Sequence, residues 1–303
     1  MKSTRRAFLL VAVIAALAHC YVFRDFCVDD AAISYSYARS LAHGHGLVLV
    51  PGMERVEGYS NFLWVVLLAL GIRFGLDVFL WSHLLGACFA ASTVVGVAEL
   101  CAAIRKQESL FDIVPSLLVA SLTPIAYWSM SGLEGGLYAA LTVWCAVRLV
   151  QESDEPNLAP FSALLAAGCA LTRPDGLLTL AVASGLRLLH NRQLRALAVW
   201  YSLALLPVAL HFAWRYGYYA YLLPNTFYAK VREPFRLREL FNRRSEGWRY
   251  VIDFGERYRL LPLLGCAGLM LWPGSRWQPA PARPPPSSGQ WPNVPSRGRS
   301  WSS

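Results

Sequence analysis

Two adjacent carboxylates, Asp29 and Asp30, stand just beyond the first apolar stretch of the chain. They head the segment FCVDDAAISYSYARSLAHGHGLVLVPGMERVEGYSNFLW, which then supplies Arg39, His43, His45, Glu54, Arg55, Glu57 and Tyr59. Paired acids can divide the work of a group transfer. One takes the proton of an acceptor hydroxyl while the other holds the group or a divalent cation. At a bilayer edge, partial desolvation raises a carboxylate's pKa toward the range that suits a general base. The competing reading is a solvated loop whose acids merely end a helix. Glu54, Arg55 and Glu57 could pair among themselves, but exposed pairs contribute at most about 1 kcal/mol and explain such a concentration poorly. His43 and His45 could bind a metal, although a loop histidine more often only hydrogen-bonds.

Three further polar blocks interrupt apolar sequence: Ser131-Gly132-Leu133-Glu134, Arg173-Pro174-Asp175-Gly176, and Leu223 to Lys230, which reads LPNTFYAK. Glu134 is a second acidic contact or an acid favoured by a helix N-terminus. Arg173 suits a phosphate, because guanidinium binds phosphate oxygens as a fork, and its rival reading is a turn with an internal Arg173–Asp175 pair. Lys230 follows an aromatic run as a phosphate ligand or as a snorkelling interfacial residue, with Asn225 beside it.

The elements that must position these residues read as membrane helices. The 303-residue chain is 55% hydrophobic and 16% charged, where soluble domains average roughly 45–50% and about 25%. Its mean hydropathy is +0.37. The formal charge of +9 sits in short clusters between apolar runs and in the tail. That pattern fits topology signals and argues against a nucleic-acid surface. Among the seven cysteines there is no CxxC pair and no metal spacing. Cys20 and Cys27 flank the end of the first apolar run, where a disulfide is one reading.

The expected fold class is all-α: a polytopic transmembrane helical protein of about eight spans. The basic N-terminus and the run from 7 to 23 admit a signal peptide, a twin-arginine signal or a retained helix. The apolar sequence downstream favours the retained helix, inside end first. The run 61–75 is short for a span of roughly 20 residues and reads as an interfacial helix. Apolar runs follow at 78–103, 113–128, 135–150, 161–172, 177–189, 196–214 and 260–272. Alternating them puts the basic clusters at 105–106, 148 and 187–195 on the inside. All four polar blocks then fall outside, with a first external loop over 24–78 and a later one over 215–257. The expected domains are a membrane module over 1–273 and a disordered Pro/Ser/Arg-rich tail over 274–303, which is also what a truncated or frameshifted reading frame would leave.

In the order of these blocks the chain resembles the GT-C superfamily of polytopic membrane glycosyltransferases, and within it the bacterial terminal arabinofuranosyltransferase-like family, over roughly residues 7 to 260. The resemblance implies a GT-C-like module and a polyprenyl-phosphate-linked sugar as donor. It implies a cell-envelope glycan or lipid as acceptor, and inversion in one displacement. Asp29 becomes the expected base and Asp30 its partner. Arg39, Glu54, Arg55, Glu57, Tyr59, Glu134, Arg173, Asp175, Asn225 and Lys230 become substrate contacts. A cation, Mg²⁺ or Mn²⁺, would be held by Asp30 and Glu134. The resemblance also implies further spans beyond those read here. The setting would be the bacterial inner membrane, multi-pass among membrane lipids, with the site loops on the periplasmic face. A different class, a lipid-linked-sugar flippase or transporter, would instead bury ionisable residues mid-span. Here they cluster in turns.

Overall fold

In the computed structural model, residues 2–155, 158–190, 193–222 and 246–257 are described. All regular structure among them is helical. The chain divides into two compact units, Met1–Arg232 and Glu233–Ser303. The first holds α1 (Lys2–Val22), α2 (Ala31–Ala42), α3 (Phe62–Arg73), α4 (Val78–Arg105), α5 (Ile113–Ser121), α6 (Thr123–Ser129), α7 (Gly135–Asp154), α8 (Phe161–Thr172), α9 (Gly176–His190) and α10 (Leu194–Tyr219). The second contributes one described helix, α11 (Glu246–Arg257).

Ser3–Val22, Val78–Arg105 and Leu194–Tyr219 are long and apolar enough to cross a membrane. The pair Leu110–Ser121 and Thr123–Ser129 makes a fourth if its 60° bend is counted within one span. Sequence reading took 113–128 as one run. The break falls where Leu122 is extended (ψ 114°) and Pro124 occupies the first turn of the next helix. Proline there has no amide to donate to the preceding turn and restricts the residue before it. Helix α3 is about 18 Å long at the usual rise, well short of a bilayer core of about 30 Å. It buries Trp64, Val65, Leu68 and Ala69, in a core that also takes Tyr35, Tyr37 and Ala38 of α2.

Helix α1 is a member of the bundle. Ala12 and Ala16 pack with Val94 and Ala120, and Arg5, only 7% exposed, pairs with Glu99 at 3.0 Å and Asp112 at 3.7 Å. Cys20 and Cys27 are both free thiols, so the disulfide reading does not hold. Two helices overrun their expected limits. Helix α7 continues to Asp154 because Glu152, 1% exposed, accepts from Ser162 N (2.9 Å) and Ser162 Oγ (2.6 Å). Helix α10 continues to Tyr219, which places Arg215 inside a helix and not at the head of a loop. The run 260–272, the tail 274–303, Asn225 and Lys230 lie outside the described residues.

The helix directions give the first unit two distinct ends. Arg5, Arg105, Lys106, Arg148 and Arg187 gather at one end. The other carries the segment 23–61 and the turns at 130–134 and 173–175.

Candidate active site

The site is built from three stretches far apart in sequence. Asp30 ends the turn that starts α2, and Asp29 Oδ1 accepts from the Asp30 amide at 3.0 Å. The turn at 131–134 is held against this loop by Val28 N donating to Ser131 O (3.1 Å) and by Trp64 Nε1 donating to Gly132 O (3.1 Å). Gly132 has φ +82°, and an added Cβ would stand 2.3 Å from Tyr35 Oη. Only glycine takes that backbone and that closeness without strain. The turn delivers Glu134 to the N-terminus of α7. The third stretch is the α8–α9 turn, where Arg173 Nη1 donates to Glu134 Oε1 at 3.0 Å and Arg173 Nε to Asp175 Oδ1 at 2.9 Å.

These stretches enclose a cavity of 330 Å³ whose walls include Asp30, Ser34, Tyr59, Asn61, Glu134 and Arg173. Asn61 Nδ2 donates to Glu134 Oε2 at 2.7 Å and to Ser34 Oγ at 3.0 Å. Both oxygens of the nearly buried Glu134 are thus engaged. Burial pulls the Arg173 guanidinium down, but Asp175 and Glu134 outweigh it and raise it overall. It stays a cation. A second cavity of 420 Å³ shares Leu133, Glu134 and Arg173 with the first, and its other walls include Pro124, Ile125, Trp128 and Ala139. A polar chamber and a largely apolar one therefore meet at the Glu134–Arg173 pair.

Of the sequence-nominated residues, Asp30, Tyr59, Glu134 and Arg173 line the polar chamber. Asp29 is exposed and stands outside that lining. Asp175 touches the site through Arg173 alone. Glu57 does not face the chamber: it is 2% exposed and both its oxygens accept from Arg215 Nε at 2.8 Å. Burial pushes its carboxyl above the usual range, with Arg215 drawing it back. Burial likewise raises Tyr59, which stays a neutral phenol, with the Tyr219 hydrogen bond opposing the rise. Arg39 is exposed in the last turn of α2, Glu54 is exposed on the loop, and Arg55 lies 4.6 Å over the Tyr218 ring. His43 Nδ1 donates to Arg39 O at 2.7 Å.

No group of three or more His, Cys, Asp or Glu that could hold a metal occurs among the described residues. A hard cation wants several oxygen ligands. Among the described residues, Glu134 is the one other carboxylate on the cavity wall with Asp30, and it is already paired with Arg173. That donor set does not fit Mg²⁺ or Mn²⁺.

Sequence reasoning missed Ser34, Asn61 and Arg215. Asn61 looked like the polar edge of an apolar run, although it is the residue that bridges α2, α3 and Glu134. Arg215 carried a usable signal, since an arginine embedded at the end of an apolar helix calls for a buried carboxylate partner.

No family model and no solved structure matches the chain. Among curated proteins it is similar to the terminal β-(1→2)-arabinofuranosyltransferase of Mycobacterium tuberculosis, 29% identical over 261 residues, covering 80% of this chain and 40% of the relative. The protein of the same description from Corynebacterium glutamicum is 28% identical over 280 residues, covering 82% of this chain and 39% of that one. The chain thus spans about two-fifths of the length of the curated relatives it matches. The resemblance read from the polar blocks is borne out at the level of sequence: over four-fifths of its length this chain is similar to arabinofuranosyltransferases.

Proposed function

We propose that the chain is a GT-C-type membrane glycosyltransferase, or the catalytic part of one. It would move a sugar from a polyprenyl-phosphate donor to a hydroxyl of an arabinan-like cell-envelope glycan or glycolipid. The observation that carries the reading is the convergence of Asp30, Glu134 and Arg173 on one polar chamber beside an apolar one. An amphiphilic donor fits that pair of chambers. Its prenyl chain lies along Ile125, Trp128 and Ala139, and its phosphate meets Arg173 where the two cavities join. Its sugar then occupies the polar chamber.

In the proposed step the acceptor hydroxyl gives its proton to the Asp30 carboxylate. Its oxygen attacks the anomeric carbon, and the bond from that carbon to the phosphate oxygen breaks. Polyprenyl phosphate leaves with the bonding pair. The attack is in line, so the anomeric configuration inverts. Arg173 opposes the charge that grows on the departing phosphate, as a fixed cation in a water-poor site can. Asn61 and Glu134 hold Arg173 and the chamber wall in register. Asp29 orients the loop by accepting the Asp30 amide. The cavity end faces the periplasm and the basic end the cytoplasm, a placement supported by Arg5, Arg105, Lys106, Arg148 and Arg187 collecting at one end.

The test uses membranes containing the chain and a polyprenyl-phosphate-linked labelled sugar. Asp30→Asn should lower transfer by roughly 10²–10⁴-fold, and Asp29→Asn by much less. Correctly inserted Asp30→Asn that transfers sugar as well as the parent would sink the base assignment. A parent chain with no transfer would sink the enzyme reading of this polypeptide.

A further inference from the structure

One face of α10 grips the segment that forms the chamber wall. His211 packs against Phe62 with ring centroids 4.2 Å apart and the rings tilted by 39°, and Trp214 lies 5.8 Å from the same ring. One turn on, Arg215 Nε donates to both oxygens of Glu57 at 2.8 Å, while its Nη1 donates to Leu222 O at 2.9 Å. A further turn along, Tyr219 Oη donates to Leu47 O at 2.7 Å and to Tyr59 Oη at 3.4 Å. Positions 211, 215 and 219 are spaced at i, i+4 and i+8, so they share one stripe of the helix. Among the residues they hold, Glu57 and Phe62 flank the chamber-lining stretch Gly58, Tyr59, Ser60 and Asn61, and Tyr59 belongs to it.

The wall itself has little internal structure to hold it. Residues 54 to 60 carry no helix. Their local support is Tyr37, whose hydroxyl donates to Val56 O at 2.5 Å and accepts from Gly58 N at 2.9 Å. Arg215 is 5% exposed and Glu57 2%, so the pair is shielded from water and from salt. A buried pair of this kind is weak evidence for added stability and its best-attested use is to specify one arrangement. Among the described residues, the buried Arg215 Nη2 has no hydrogen-bond partner. The guanidinium is held by Glu57 and by Leu222 O.

We propose that Arg215 is a positioning residue for the chamber: through Glu57 it holds the wall Gly58–Asn61 at the distance from Asp30 and Glu134 that the transfer needs. It touches no reacting atom. The inference rests on the catalytic reading of the chamber, and it assigns to α10 a part in a site whose nominated residues come from α2, the 131–134 turn and the 173–175 turn.

The test places a nitroxide on Ser60→Cys, on the wall, and separately on Glu108→Cys at the opposite end, in the full chain reconstituted in lipid. The same chain without the introduced cysteine serves as the labelling blank. Arg215→Gln and Glu57→Gln should each reduce, without abolishing, the immobilised spectral component at 60 and leave the spectrum at 108 unchanged. Arg215→Lys, which keeps the charge and one donor, should retain more of that component than Arg215→Gln. The double variant Glu57→Gln/Arg215→Gln should do no more than the worse single, because the two residues act as one unit. Unchanged immobilisation at 60 in both single variants overturns the proposal, as does equal loss at 60 and 108 or additive loss in the double variant. Sugar transfer measured on the same samples should rank parent, Arg215→Lys, Arg215→Gln. A parent without transfer removes the catalytic reading of the chamber, while the spectra still report whether Arg215 sets the wall.

Discussion

The two ends of the first unit handle charge in opposite ways. At the basic end Glu152 and Asp112 are each 1% exposed. Glu152 takes two hydrogen bonds from Ser162 and lies within ion-pair reach of Arg148 (3.6 Å) and Arg187 (3.9 Å). Asp112 accepts from Arg105 and from Ser109 N (2.8 Å) and sits 3.7 Å from Arg5. At the cavity end Asp30 is exposed, and Arg173 and Glu134 border two open spaces. Charge that is sealed in protein closes helix ends, while charge that is paired on one side and open on the other can meet a ligand. The difference lies in the packing, since acids and arginines occur at both ends.

The contrast breaks most visibly if Asp30→Asn proves to be a stability variant. Against a transfer loss of orders of magnitude, its thermal unfolding in detergent should stay within about 0.5 kcal/mol of the parent, as for an exposed side chain without a buried partner. Glu152→Ala should do the reverse. It strands Arg187 in a buried site and should cost about 3–5 kcal/mol in the same unfolding measurement. Equal destabilisation by the two variants would erase the distinction between the ends.

A finer test concerns the turn that carries Glu134. Gly132→Ala forces a side chain into a left-handed backbone position against Tyr35, at a cost of about 1–3 kcal/mol. It should lower transfer more than an equally destabilising change at the basic end, because it displaces Glu134 from Asn61. The smallest effect is expected at Lys106, whose pair with Asp154 (2.6 Å) leaves the lysine side chain 70% exposed. Lys106→Ala should shift stability by at most about 1 kcal/mol, and less at high salt.

Much of the helix plan was legible in the chain. The runs ending at 103, 172 and 189 match helices that end at Arg105, Thr172 and His190, because apolar stretches bounded by glycine, proline or charge report their own limits. The short run at 61–75 likewise gave a 12-residue helix. The 60° break near Leu122 was readable from Pro124 but was passed over. The overruns of α7 and α10 were not readable, since Glu152 and Arg215 look like loop residues until Ser162 and Glu57 are seen to bind them.

Composition and order of residues by themselves determined that this is an all-helical, membrane-like chain, that its polar chemistry sits in a few turns, and which relatives it resembles. Those are properties of local sequence: hydropathy, turn-forming residues and motif order. Only the tertiary structure decided which polar residues share a space. It brought Asp30, Glu134 and Arg173 together, left Asp29 outside, and turned Glu57 away toward Arg215 across 158 positions. Pairing over such separations depends on how helices pack against one another, and a one-dimensional pattern carries no distance between two of its turns.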